Sequence, residues 1–192
     1  MKADWITPWF QAATLPSKWD VCGIVVPSLS VWHVFALQNI GNRYICKQDG
    51  ADRDDSASML LFASLDYLGG RKLWHDPDFR AREMALTHKR LVGLDWLTLH
   101  GACDEYARVC TRCASRWQKG GSRPAGVAEA WHLVSLMSNN DPARLESAWN
   151  APYAVGCALF DSVLERAGDT SVMSARAQEM EDNWSEYEKE ST

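Results

Sequence analysis

The sequence predicts a mainly α-helical protein: a single helical domain of about six to eight helices, with at most a small two-stranded β element near the N-terminus. Three observations carry this. Apolar residues recur at three- and four-residue spacing along most of the 192 residues. Helix start and stop signals punctuate the chain at short intervals, among them Asp76-Pro77, Gly93, Asp95, Gly120-Gly121 and Asp141-Pro142. Residues 21–42 run without one formal charge, which suits a buried centre on which other helices pack.

That central stretch reads as two elements. Val21 to Val26 is a short β-like run and Leu29 to Ile40 a helix, with Pro27 separating them because it fixes φ and biases its predecessor away from helix. Ser28 or Ser30 suits the N-cap, and Gly41 stands where a C′ glycine belongs. The stretch does not read as a membrane span. It contains Pro27, His33, Gln38 and Asn39, and its 12-residue helical half spans only about 18 Å of a hydrocarbon core about 30 Å thick.

On either side the organisation follows from composition. A hydrophobic share of 46% with 23% charged residues provides for a sizeable core in one domain. Residues 1–20 form an N-terminal aromatic arm with Trp5, Trp9, Phe10 and Trp19. Residues 21–168 form the helical core, and residues 169–192 an acidic amphipathic C-terminal helix. Asp4 and Pro8 interrupt the place where a signal peptide needs an apolar run, so the expected compartment is the cytoplasm. The six cysteines are then expected to be reduced. The net charge of −5 is uneven: residues 71–123 hold 11 Lys and Arg against 6 Asp and Glu, while residues 141–192 hold 4 against 11.

In chain order, residues 43–48 are expected to pair as a strand with 21–26. The acidic run Asp52, Asp54, Asp55 suits the N-terminus of a helix over 55–68, which Gly69-Gly70 would stop. The next helix starts at Asp76-Pro77 and reaches Val92, with Ala81, Met84, Ala85, His88, Leu91 and Val92 inward. His88 is expected to be a satisfied core histidine. Helix 96–117 carries Trp96, Leu99, Cys103, Tyr106, Cys110, Cys113 and Trp117 in an a/d seam, open to a bundle neighbour or to a second copy of the chain. Helices over 127–137, from Asp141-Pro142 to Trp149, and from Asn150-Pro152 to Gly168 complete the core. Residues 172–188 place Met173, Met180, Trp184 and Tyr187 on one stripe among acidic residues. Such a helix needs a surface for its apolar side, either its own core or a partner.

Candidate chemistry is thin. Cys110 and Cys113 make a CxxC that raises a metal- or thiol-dependent reading, yet no second CxxC or HxxxH completes a zinc set. Arg108, Arg112 and Arg116 lie four apart and raise a nucleic-acid reading, which the acidic chain does not otherwise support. The sequence holds no GxSxG, SxxK, GxxxxGK[ST] or GxGxxG motif, so no catalytic residue and no cofactor is assigned and the expectation is a non-enzymatic protein.

Two patches carry a resemblance. The run VCGIVVPSLSVWHVFAL has the order apolar strand, proline, Ser-capped helix with a histidine. Residues 148–154, AWNAPYA, are continued by Glu165-Arg166-Ala167-Gly168-Asp169. Together they resemble tail-assembly chaperones and similar accessory proteins from the tail gene clusters of long-tailed bacteriophages. The resemblance implies a helical, non-enzymatic protein of the host cytoplasm that binds another phage protein, the tape measure, during virion assembly.

Overall fold

The computed structural model describes residues 12–112 and 129–167, and the chain is mainly α with a small N-terminal β-hairpin, as its sequence predicts. The hairpin pairs β1 (Trp19–Val21) with β2 (Ile24–Val26) antiparallel, Trp19 opposite Val26. The predicted continuous strand 21–26 is therefore broken at its second residue. Cys22 and Gly23 form the turn with φ of 53° and 83°. Two successive left-handed residues match the right-handed twist of a two-residue hairpin. The Asp20 carboxylate accepts the Gly23 N–H at 2.6 Å and holds the turn.

Helix α1 (Val31–Asn39) is the centre the charge-free run predicts. Val31, Trp32, His33, Val34, Ala36 and Leu37 are all buried. It packs on α2 (Arg43–Cys46), α3 (Arg53–Ala63), α4 (Tyr67–His75), α7 (Glu129–Ser138), α8 (Leu145–Asn150) and α9 (Tyr153–Arg166). Its N-cap is Ser30, and the residue closing the capping box is His33. The Ser30 hydroxyl accepts the His33 N–H at 3.3 Å, and His33 Nδ1 accepts the Ser30 N–H at 3.0 Å. At the other end Gly41 (φ 72°) donates to Gln38 C=O and Asn42 to Leu37 C=O, a Schellman closure.

Two elements differ from expectation next to α1. Residues 43–46 are a helical turn rather than a strand. Asn42 caps it, and its buried amide also donates to Asp55 C=O and Ser58 Oγ, which draws the segment onto α3. The predicted helix 55–68 is two helices, with α3 ending at Ala63 and α4 starting after its N-cap Asp66. Gly69-Gly70 lies inside α4 rather than stopping a helix. Gly70 is there for contact: a Cβ built on it would stand 2.0 Å from Trp32 Nε1. The Asp run at 52–55 does cap α3: Asp52 accepts the N–H of Asp54 and Asp55, and Asp55 accepts that of Asp52.

Helix α5 (Pro77–Leu91) starts at the predicted Asp-Pro signal, but its inner face is rotated from the predicted one. Thr87 and Leu91 are buried, while Ala81 and Ala85 face solvent. Thr87 can be buried because its hydroxyl donates to its own helix at Glu83 C=O. His88 is correspondingly not a core histidine. It is part-exposed, and its Nε2 lies 3.3 Å from Asp54. Helix α6 (Trp96–Cys110) ends at its C-cap Thr111, shorter than the predicted 96–117. Of the expected seam, Leu99, Cys103, Tyr106 and Cys110 are buried to 1% exposure or less, Trp96 is part-buried, and Cys113 and Trp117 lie outside the described residues. The chain's own core fills that seam, since Trp19 packs edge-on against Tyr106 at 5.7 Å and the Tyr106 hydroxyl donates to Pro27 C=O. From Leu99 to Cys110 the seam is therefore taken up by the chain's own core. A 3-10 turn (Pro142–Arg144) precedes α8, and α8 and α9 meet α1 through a backbone bridge, Val31 N–H to Ala151 C=O and Tyr153 N–H to Leu29 C=O. The nine helices described exceed six to eight because 43–46 is helical and 53–75 is split.

Candidate interaction surface and a polar cleft

The aromatic residues of four helices meet on one flank of α1. Trp32 stands edge-on to Tyr67 at 5.3 Å and to Trp149 at 6.0 Å, and Phe35 tilts against Trp149 at 5.6 Å. Tyr67 stacks on Trp149 with 7° between planes at 5.7 Å. Trp131 meets Trp149 edge-on at 5.1 Å. Each distance and angle falls in the range where aromatic pairs attract beyond their buried area. The inner rings are fixed: Trp149 is 2% exposed, and the Tyr67 N–H is tied to Asn150 Oδ1 at 2.8 Å. Trp131 is 47% exposed. On α4, Leu68 and Trp74 are exposed, and the Arg71 guanidinium lies over Tyr67 at 5.7 Å. A large ring held rigidly at one edge and wet at the other is the anchor that protein interfaces favour.

A second feature lies across α1. A cleft of about 460 Å³ opens between α6 and the segment from Arg43 through the loop that ends at Ala51. The polar stripe His100, Asp104 and Arg108 of α6, with its C-cap Thr111, forms one wall. Tyr44 forms the floor: its hydroxyl is 3.0 Å from Ser56 Oγ and 2.8 Å from His100 Nδ1. Burial pushes the Tyr44 hydroxyl up to about 12, so it stays protonated. The His100 ring is held between Tyr44 at 5.4 Å and Trp96 at 5.3 Å. Arg43 is bound to Asp52 at 2.9 Å and Asp55 at 3.3 Å.

The site residues named from sequence fare differently. Cys110 is buried, and desolvation pushes its thiol up to about 11, with neighbouring Cys103 pushed to about 12. A thiolate ligand or nucleophile needs the opposite shift. Cys113 lies outside the described residues. Among the described residues no group of three His, Cys, Asp or Glu is placed to hold a metal ion. Arg108 is exposed and donates through Nε to Glu105 at 2.9 Å. Arg112 lies beyond the C-cap of α6, so it does not continue one helical row with Arg108, and Arg116 lies outside the described residues. Met173, Met180, Trp184 and Tyr187 also lie outside them. No described helix is long and apolar enough to cross a membrane. Beyond ten tryptophans, nothing in the sequence signals the aromatic cluster, because its rings come from four separate segments. The cleft left one trace, the four-residue spacing of His100, Asp104 and Arg108. Compared with protein-family models, with curated proteins and with solved structures, the chain matches none.

Proposed function

We propose that the chain is a non-enzymatic assembly protein that binds another polypeptide through the face on which Trp131 emerges. Its kind is that of the tail-assembly chaperones of long-tailed bacteriophages, acting in the host cytoplasm with the tape measure protein as partner. The observation that supports binding is the half-exposed Trp131 indole set on buried Trp149, which in turn stacks on Tyr67. An anchor that is already immobile loses little side-chain entropy when a partner covers it. The phage context rests on the two sequence patches.

The experiment is co-expression with a tape measure protein from the same tail gene cluster, followed by co-purification. Trp131→Ala is expected to keep the melting temperature within a few degrees and to abolish co-purification, as removal of a Trp anchor costs about 2 kcal/mol or more. A wild-type chain that never co-purifies with the tape measure, or a Trp131→Ala chain that does so undiminished, refutes the proposal.

A further inference from the structure

We propose that the cleft between α2 and α6 binds a small zwitterion of amino-acid size, engaging its ammonium and its carboxylate together. Three features of the cleft lead there, and none depends on the partner reading. Its volume of about 460 Å³ lies in the range of small-molecule sites, toward the lower end.

Its lining carries charges of both signs. The two arginines of the lining are already paired, Arg43 with Asp52 and Asp55, Arg108 with Glu105. Among the described residues of the lining, those without an ion pair are Lys47 and Asp49 on the loop wall and Asp104 on the helix wall. A purely anionic ligand meets repulsion from the two carboxylates, and a purely cationic one from Lys47. A ligand with both charges a few ångströms apart is attracted at each end, and discrimination by sign follows from the penalty on the wrong charge.

The imidazole on the helix wall is pre-positioned. Tyr44 Oη occupies His100 Nδ1, and the rings of Tyr44 and Trp96 fix its plane. Nε2 is then the ring nitrogen that remains for a ligand hydrogen bond. A polar group whose orientation is set beforehand binds at lower entropic cost.

The test is titration of the full chain with the free proteinogenic amino acids at millimolar concentration, by thermal shift and calorimetry. For each amino acid that binds, the N-acetyl and amide derivatives are added as probes, with inorganic phosphate and a simple alkylamine as single-charge controls. The expected result is that one or more free amino acids bind and that blocking either end weakens binding about tenfold or more, roughly 1.4 kcal/mol. Asp104→Asn, a substitution at an exposed position of α6, and His100→Gln are expected to weaken it similarly, with the fold checked by circular dichroism. Three results overturn the proposal. They are no binding by any free amino acid, blocked derivatives that bind as tightly as their parents, and an Asp104→Asn chain whose affinity is unchanged.

Discussion

Gly70→Ala is expected to destabilise the protein although it improves the helix. In α4 the substitution removes the backbone entropy cost of glycine, a gain of about 1 kcal/mol. The new methyl, however, has no room. It would stand 2.0 Å from Trp32 Nε1, 2.8 Å from Cε2 and 3.1 Å from Cδ1. Relieving the first contact needs a shift of more than ~1 Å, since non-bonded atoms are comfortable near ~3.5 Å. The indole cannot yield cheaply. It is 7% exposed and boxed by Phe35, Tyr67 and Trp149 at 6.2, 5.3 and 6.0 Å. Overpacking of this kind costs about 1–3 kcal/mol, and displacing a buried tryptophan forfeits part of the ~3–5 kcal/mol its side chain contributes. After the helix gain, a net loss of about 2–3 kcal/mol remains, which lowers the melting temperature by roughly 5–10 °C for a chain of this size. Gly101→Ala in α6 is the control. Nothing lies within 4 Å of its Cβ, so only the propensity gain of about 1 kcal/mol applies and the melting temperature rises. Thermal and urea unfolding of both variants decide the matter. If Gly70→Ala is as stable as the parent, the Trp32–Gly70 contact and the aromatic packing built on it are wrong.

Further predictions follow from single residues. Burial lowers the pKa of His33 from 6.5 to about 4, so between these values only the unfolded chain takes up the proton. Its contribution is full above pH 6.5 and is lost as pH falls toward 4, about 3 kcal/mol in all, and urea midpoints across that range are expected to flatten in His33→Gln. Half-buried Cys22 and Cys46 are expected to react with a thiol reagent at pH 8 well before Cys103 and Cys110, whose thiols are buried and hard to ionise, and equal rates would contradict the core. Asn42→Ala removes a cap and two buried hydrogen bonds and is expected to cost about 2–3 kcal/mol in chemical denaturation.

What the sequence discloses is what local chemistry decides. Asp-Pro at 76–77, the acidic cap at 52–55, Ser30 and Gly41 all act within one turn of their own position, and each stands where the sequence puts it. The misreadings share another cause, a partner remote in sequence. Gly69-Gly70 looks like a helix stop until Trp32 is seen against it. Residues 43–46 look like a strand until Asn42 is seen reaching Asp55 and Ser58. His33, not His88, is the core histidine. Its two nitrogens meet Ser30 N–H and, across the core, Leu65 C=O at 2.6 Å, and the second bond has no sequence signature. Since Nδ1 accepts, Nε2 carries the proton, which fixes the neutral tautomer that burial favours.

The two surfaces ought to act independently, and α1 is the reason. The aromatic stack is built from α1, α4, α7 and α8, and the cleft from α2, α6 and the loop after α2. Helix α1 contributes Trp32 and Phe35 to the first and no side chain to the lining of the second. Coupling between them would need α1 to have two arrangements. Its closure at both ends argues against that, with Ser30 and His33 at one end and Gly41 and Asn42 at the other. Effects at sites with no shared partner add within about 0.5 kcal/mol. Trp131→Ala is therefore expected to leave amino-acid binding unchanged and Asp104→Asn to leave co-purification unchanged, with the double variant showing the two losses side by side. A shift in ligand affinity of tenfold on partner binding would show instead that α1 moves, and that the cleft regulates the face.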